Sequence, residues 1–552
     1  MKHFCTSYRV KCFKIIEIFG GTMKIIEKKK NPKNLKIMSE NDPPKLSSEE
    51  KVDLTLSKSV EENLEKFKAF LEESSDAVFR EFKLGSQGIP CALVYIDGLV
   101  DKTIIHNHIL KGLMYEIALL ESKRGDAIDL DKAFSAVKEH ALTVADIKIK
   151  DTLDECMKFV MSGEVALMVE GSDKIIIVSA RGWPTRSISE PETEGVIRGP
   201  REGFTETLRM NTALLRRKCK DPNMVIKTIS LGRRSKTDVA YVYIKGIANE
   251  ELVEEVERRL ATIDVDQIME SGQVEQWIQD SPLSPFPQVQ VTERPDITVA
   301  GLVEGRVAIL VDNSPFALIV PAGMYQFYQS PEDHYDRWII SSILRTLRWI
   351  GSLVATFTPA TYVAIISFHP GFLPTQLALA IAATRANVPF PAFIEALLME
   401  TTIELLREAG ARLPKLIGQT IGIIGGIIIG DAAVKAGITS PTMVLIVAVT
   451  AITSFIIPSY SAAIAFRIIR YPLIILGASM GMYGVMLGFI VVNIHLVSLK
   501  SFGMNYMAPQ APLIPQDWKD FIIRLPHSFL KRRPVQYYPV DIDRVDQDAI
   551  KR

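Results

Sequence analysis

The chain has 552 residues, 47% of them hydrophobic, with 64 basic and 64 acidic side chains and a formal net charge of zero. A single core rarely grows beyond about 250–300 residues, so more than one domain is expected. The charge balance carries no signature of a nucleic-acid partner, and five scattered cysteines (Cys5, Cys12, Cys91, Cys156, Cys219) without CxxC spacing support neither a disulfide framework nor a zinc site.

In chain order, residues 1–57 read as a basic, disordered tail. The run "MKHFCTSYRVKCFKIIEIFGG" is broken by Arg9, Lys11, Lys14 and Glu17, so it lacks a signal-peptide core, and Met23 and Met38 are alternative starts. From about residue 58 the pattern becomes periodic. In "SVEENLEKFKAFLEE" Leu64, Phe67, Phe70 and Leu71 recur at helical spacing, and "AVFREFKLG" and "CALVYIDGLV" read as strands. "GEVALMVEGSDKIIIVSARG" (163–182) then aligns on "GRVAILVDNSPFALIVPAG" (305–323), and "ALVYIDG" (92–98) on "AYVYIKG" (240–246). Two tandem α/β subdomains are therefore expected, at 58–189 and 190–330, each closing with a β-hairpin.

Between them lies "EPETEGVIRGPREGFTE" (190–206), rich in charge, proline and glycine. It reads as a salt-bridged joint that orients the two lobes, with Arg198 and Arg201 as its basic members. The competing reading, an anion held by those arginines near a helix N-terminus, is opposed by Glu190, Glu192, Glu194, Glu202 and Glu206. "LGRRSKTDVAYVYIKG" puts Arg233, Arg234 and Lys236 on a hairpin turn, solvated or in contact with an acidic partner or lipid headgroups.

After "YQSPEDHYDRW" the composition turns apolar, and residues 331–500 read as a polytopic α-helical membrane domain of four to six helical or re-entrant segments. "WIISSILRTLRW" suits an interfacial helix; the candidate spans are 349–368, 376–398, 416–430, 442–466 and 473–499. Arg345 and Arg348, Lys415, Arg467 and Arg470, and the basic tail (501–552) all fall on the inner side by alternation, provided the fifth segment, with glycines 477, 481, 484 and 488, bends back as two short helices.

Three features of this half bear on mechanism. Gly418, Gly422, Gly426 and Gly430 recur every four residues, a groove for helix packing. Arg385 and Glu395 flank Pro389 and Pro391, where a broken helix leaves ionisable groups either embedded or in an interfacial loop. Ser352, Thr356, Pro359 and Val363 share one face of the first span, a pore-lining candidate if several copies surround an axis; the alternative is that the hydroxyls satisfy their own helix backbone. No P-loop, GxSxG or HExxH occurs, and the eight histidines are dispersed apart from "HNH" at 106–108, so no catalytic residue, metal site or cofactor is expected.

"EPETEGVIRGPREGFTE", "LGRRSKTDVAYVYIKGIAN", "ATRANVPFPAFIEALLMET" and "SFIIPSY" together resemble the GerA family of spore germination proteins, specifically the A subunit of a nutrient germinant receptor, over about residues 60–535. The resemblance implies a two-lobed domain on the cytoplasmic (core) side of the spore inner membrane, joined to a multi-pass domain. It further implies a transporter-like B subunit and a lipoprotein C subunit as partners, and homo-oligomerisation into a cation channel. The alternatives are a secondary transporter with a regulatory domain and a noncatalytic membrane scaffold that modulates spore ion release.

Overall fold

The computed structural model describes residues 55–545 except 86–87, 118, 120–129, 139–145, 183–189, 192 and 413–427. Two five-stranded antiparallel sheets form the first half. The first uses β1 (Ala77–Leu84), β2 (Ile89–Ile96), β3 (Ile147–Lys150), β4 (Val165–Val169) and β5 (Ile175–Val178) in the order β1-β2-β4-β5-β3. The second uses β6 (Met224–Leu231), β7 (Thr237–Ile244), β8 (Gln290–Thr292), β9 (Val307–Val311) and β10 (Ala317–Val320) in the order β6-β7-β9-β10-β8. The order is the same, so the sequence repeat is a repeat of topology. The aligned segments are β4–β5 and β9–β10, whose turns hold "EGSD" and "DNSP".

Both sheets are covered on both faces, which explains why their central strands are almost continuously apolar. Successive side chains of a strand point to opposite faces. In β2, Cys91 and Leu93 accordingly enter one core, while Ala92, Val94 and Ile96 enter another with Leu64, Phe67 and Leu71 of α1 (Val60–Leu71) and Cys156 of α2 (Leu153–Val160). In the second lobe, α3 (Leu208–Lys218) buries Leu208 and Leu215 on one face of the sheet, and α4 (Glu250–Ala261) and α5 (Ser271–Ile278) cover the other. Arg216 of α3, fully buried, reaches into the first lobe and donates to both carboxylate oxygens of Asp76 (2.9 Å each), while Ser75 N–H donates to Ile226 O (2.7 Å).

The joint at 190–206 is docked on the second lobe. Arg294, buried just before α6 (Pro295–Val303), donates to the carbonyls of Glu194 (3.1 Å) and Pro200 (2.8 Å), and Ile197 N–H donates to Glu332 (2.6 Å) at the start of α7 (Glu332–Tyr335). Gly199, at φ +144°, lets the chain pass the Tyr335 ring, which a Cβ would meet at 2.7 Å. Glu194 lies beneath, accepting from Thr292 Oγ1 (2.5 Å) and Glu293 N–H (3.1 Å). Burial pushes its carboxyl up to about 7, against those hydrogen bonds and Arg294. A carboxyl raised in the folded state stabilises docking fully below its ordinary value of about 4.5, and that contribution is lost as pH rises through about 7. Proteolytic cutting within 190–206 of the full chain is therefore expected to accelerate from about pH 5 to about pH 8. Glu194→Gln, which cannot ionise, should flatten the profile; an equally steep rise in that variant would assign the dependence to another group.

The second half is helical. α8 (Trp338–Phe368) is 31 residues long, α9 (Thr375–Arg385) and α10 (Ala392–Arg412) follow, then α11 (Pro441–Ser454) and α12 (Tyr460–Ser498). Among the described residues two helices, α8 and α12, are long and apolar enough to cross a membrane. The candidate span at 376–398 is broken around Pro389 and Pro391, where the prolines place a break, and the one expected at 442–466 is interrupted between Ser454 and Tyr460, where Pro458 lacks the N–H that would continue the helix. The span expected at 416–430 lies almost wholly outside the described residues.

α12 turns back on itself. Gly481 has φ +61° and ψ −145°, which are not helical, and a Cβ on Gly488 would meet Leu473 Cδ2 at 2.3 Å. At the other end, Ala462 and Phe466 share a cluster with Leu496 and Leu499. A straight helix of 1.5 Å rise would hold residues 466 and 496 about 45 Å apart. The arms 460–480 and 482–498 thus form a hairpin, and the tail emerges beside the soluble lobes. Ala322 N–H donates to Ser501 Oγ (3.0 Å), Met324 N–H to Tyr506 O (2.8 Å) and Arg533 Nε to Val303 O (2.8 Å). The basic tail is packed structure along much of its length.

Candidate functional site

Charged side chains converge inside the helical half, where apolar neighbours leave few alternatives to pairing. On α10, Glu400, Glu404 and Arg407 stand at i, i+4 and i+7, one face of a helix; on α12, Arg467 and Arg470 stand at i and i+3. The faces meet. Arg470 pairs with Glu400, both about 95% buried, and Thr450 Oγ1 of α11 donates to Glu400 (3.3 Å). Arg467 pairs with Glu404 (3.0 Å), which also accepts from Arg407 (2.7 Å). Arg470 Nε and Nη2 are buried without a partner among the described residues.

Towards the start of α10 a second pair closes the break between α9 and α10. Arg385 donates to Glu395 Oε1 (2.9 Å), and the fully buried Glu395 places Oε2 on Ser440 N–H (3.1 Å) and Oγ–H (3.0 Å). Proline at 389 and 391 ends one helix and starts the next, bringing these two residues together across the turn. At the opposite end, Asp333 of α7 is clamped by Arg345 Nε (2.8 Å) and Arg348 Nη1 (2.7 Å) of α8, while Arg345 Nη1 reaches Asp520 of the tail (2.7 Å). Burial alone would raise the Asp333 carboxyl, but Arg348 and Arg345 hold it below its ordinary value. Arg345 and Arg348 thus tie α7 to α8 through Asp333, and Arg345 ties α8 to the tail through Asp520.

The arrangement can stabilise or exchange charge within a helical core. No group of three or more His, Cys, Asp or Glu among the described residues is placed to hold a metal.

The residues singled out in the sequence fall as follows. Arg385 and Glu395 are brought together. Ser352, Thr356, Pro359 and Val363 are all buried within the chain. Ser352 Oγ accepts from Tyr328 OH (2.9 Å) and donates to Trp349 O (2.8 Å), Thr356 Oγ1 donates to Ser352 O (2.7 Å), and Val363 packs with Leu473 and Val485 of the hairpin. The exposed face of α8 is the one that carries Leu353. Gly418, Gly422 and Gly426 lie outside the described residues, and a Cβ on Gly430 would make an ordinary 3.8 Å contact with Val444. Arg198 is exposed, and Arg201 forms an exposed pair with Glu190 (3.2 Å). The acidic partners Asp333, Glu400, Glu404 and Asp520 were missed in the sequence, where Arg345, Arg348, Arg467 and Arg470 served only as topology markers. Glu400 and Glu404, one turn apart on α10, and Arg467 and Arg470, three residues apart in an apolar run, were the available signal.

The family model described as Bacillus/Clostridium GerA spore germination protein matches residues 65–536. Spore germination protein B1 of Bacillus subtilis (strain 168) is 44% identical over 482 residues, covering 87% of this chain and 98% of that protein. Spore germination protein GerLA of Bacillus cereus is 42% identical over 464 residues, 84% of this chain and 92% of that protein. The crystal structure of the N-terminal domain of the A subunit of the Bacillus megaterium spore germinant receptor GerK3 is 35% identical, covers 50% of this chain and 98% of that domain, and superposes with a TM-score of 0.38. With a family match across most of its length and full-length relatives above 40% identity, the chain belongs to the Bacillus/Clostridium GerA spore germination protein family.

Proposed function

We propose that this protein is the A subunit of a nutrient-responsive germinant receptor. In this reading it is a multi-pass protein of the spore inner membrane with its lobes on the core side, and it assembles with further copies and with a transporter-like B and a lipoprotein C subunit into a cation-conducting complex. The observation that carries the reading is the set of buried ion pairs between α10 and α12. Burying a charge costs several kcal/mol per ion even after relaxation, so apolar packing would serve stability as well or better. Paired charges among membrane helices are the usual furniture of ion pathways.

The face bearing Ser352, Thr356, Pro359 and Val363 is interior in this conformation. Conduction along it requires α8 and the α12 hairpin to part, with Val363 as the apolar constriction. The chain, crosslinked and purified, is expected to have the mass of an oligomer and to conduct cations in liposomes. Val363→Ala or Val363→Ser should raise leakage without nutrient, whereas Leu353→Ala should not. A monomer without conductance would favour the scaffold reading. Saturable, substrate-coupled uptake would favour a secondary transporter, for which the broken α9–α10 segment and its Arg385–Glu395 pair are the supporting feature. Neither reading involves catalysis, a cofactor or nucleic acid.

A further inference from the structure

The C-terminal tail lines a cavity of about 460 Å³ that shares only Asp520 with the ion pairs above. Its basic lining residues are Lys519, Lys531, Arg532, Arg533 and Arg544, and its acids are Asp517 and Asp520. Both acids are engaged: Asp517 accepts the N–H groups of Val535 and Gln536 (3.0 Å each), and Asp520 accepts from Arg345. Burial raises the Asp517 carboxyl, against the two backbone hydrogen bonds it accepts. Two of the bases are structural. Arg533 is held by Asp541 (2.7 Å) and the carbonyls of Val303 and Asp543, and Arg544 by Glu304 (2.8 Å). The rim differs. Arg532 is exposed and meets Asp543 only at 3.5 Å, and Lys519 is exposed with no ion pair among the described residues. Long cationic side chains at the rim of a cavity whose acids are occupied suit an anion.

The surroundings indicate which one. Asp520 is bonded to Arg345, in the opening turns of α8, whose exposed side chains there include Trp338, Ile339, Ile343 and Leu347. The tail itself exposes Leu513, Trp518, Ile523 and Phe529, and Phe529 also lines the cavity. Aromatic and aliphatic side chains mixed with lysine and arginine are the composition of a membrane interface, where basic pockets meet anionic headgroups. We propose that the tail cavity binds the phosphodiester headgroup of an anionic phospholipid, with Lys519, Lys531 and Arg532 as its ligands. The inference rests on the reading that α8 and α12 lie in a bilayer.

The test uses the full chain reconstituted in phosphatidylcholine with a fixed fraction of phosphatidylglycerol, with lipid retained after detergent washing counted by native mass spectrometry. Wild type is expected to retain phosphatidylglycerol preferentially, and the triple variant Lys519→Gln, Lys531→Gln, Arg532→Gln to lose at least about tenfold of that preference. A Lys519→Arg, Lys531→Arg variant keeps the charge and should keep the lipid, which separates binding from misfolding. Equal retention in wild type and the triple variant overturns the site. Displacement of the lipid by millimolar inorganic phosphate assigns the cavity to a soluble anion and overturns the lipid. Flotation with vesicles tests the bilayer placement separately: a chain that floats but shows no preference refutes the cavity alone, and one that does not float refutes both.

Discussion

Replacing Glu400 by alanine is expected to cost about 3–5 kcal/mol and to remove most folded protein from the membrane, because it strands Arg470 in a site where Nε and Nη2 already lack partners. The cost comes from the abandoned charge and not from the lost contact. Glu400→Leu with Arg470→Met removes both charges at similar volume, and is expected to restore the amount of protein close to wild type. The two readouts then divide. If the double variant is abundant and stable but spores carrying it fail to respond to nutrient, the pair serves signalling or conduction; if it responds normally, the pair is dispensable. Glu400→Ala at wild-type abundance would show that the pair is hydrated and that the helices are packed differently around it.

Gly481 should be the least replaceable position in the helical half. Its φ of +61° with ψ of −145° belongs to a region that residues with a Cβ rarely enter, a strain of about 1–3 kcal/mol, and the added carbon would lie 2.8 Å from His369 Cε1 and 3.1 Å from Phe368 Cβ. Gly481→Leu is expected to prevent the hairpin and so to pull the tail from the lobes, breaking the Arg345–Asp520 pair at a distance. The neighbouring glycines grade the effect. At Gly477 the obstacle is the backbone oxygen of Ala360 (2.7 Å), which cannot yield, whereas at Gly488 it is the end of the Leu473 side chain, which can. Alanine at 477 and 481 should therefore lower the melting temperature more than alanine at 488. If all three variants melt together with wild type, the hairpin is not the conformation that sets stability.

These sites are linked by a series of ion pairs. Asp333 joins α7 to α8, Asp520 joins the tail to the same Arg345, and Arg216–Asp76 joins the lobes.

The sequence by itself determined the local elements and their duplication. The apolar runs of β2 and β7, helical spacing in α1 and α3, and the match of β4–β5 to β9–β10 are short-range patterns, set by which side chains face a core. It also located the helix break at Pro389 and Pro391, because proline removes a backbone donor wherever it stands. Pairing was decided only by the tertiary structure. An arginine such as Arg470 or Arg216 finds its acid 70 or 140 residues away in the chain, and no local periodicity encodes that choice. The same holds for the face of α8: Ser352, Thr356, Pro359 and Val363 are a coherent stripe in the sequence, but whether the stripe meets a pore, lipid or another helix depends on α12. That helix turns at Gly481 and lays both its arms in the same bundle, burying the stripe.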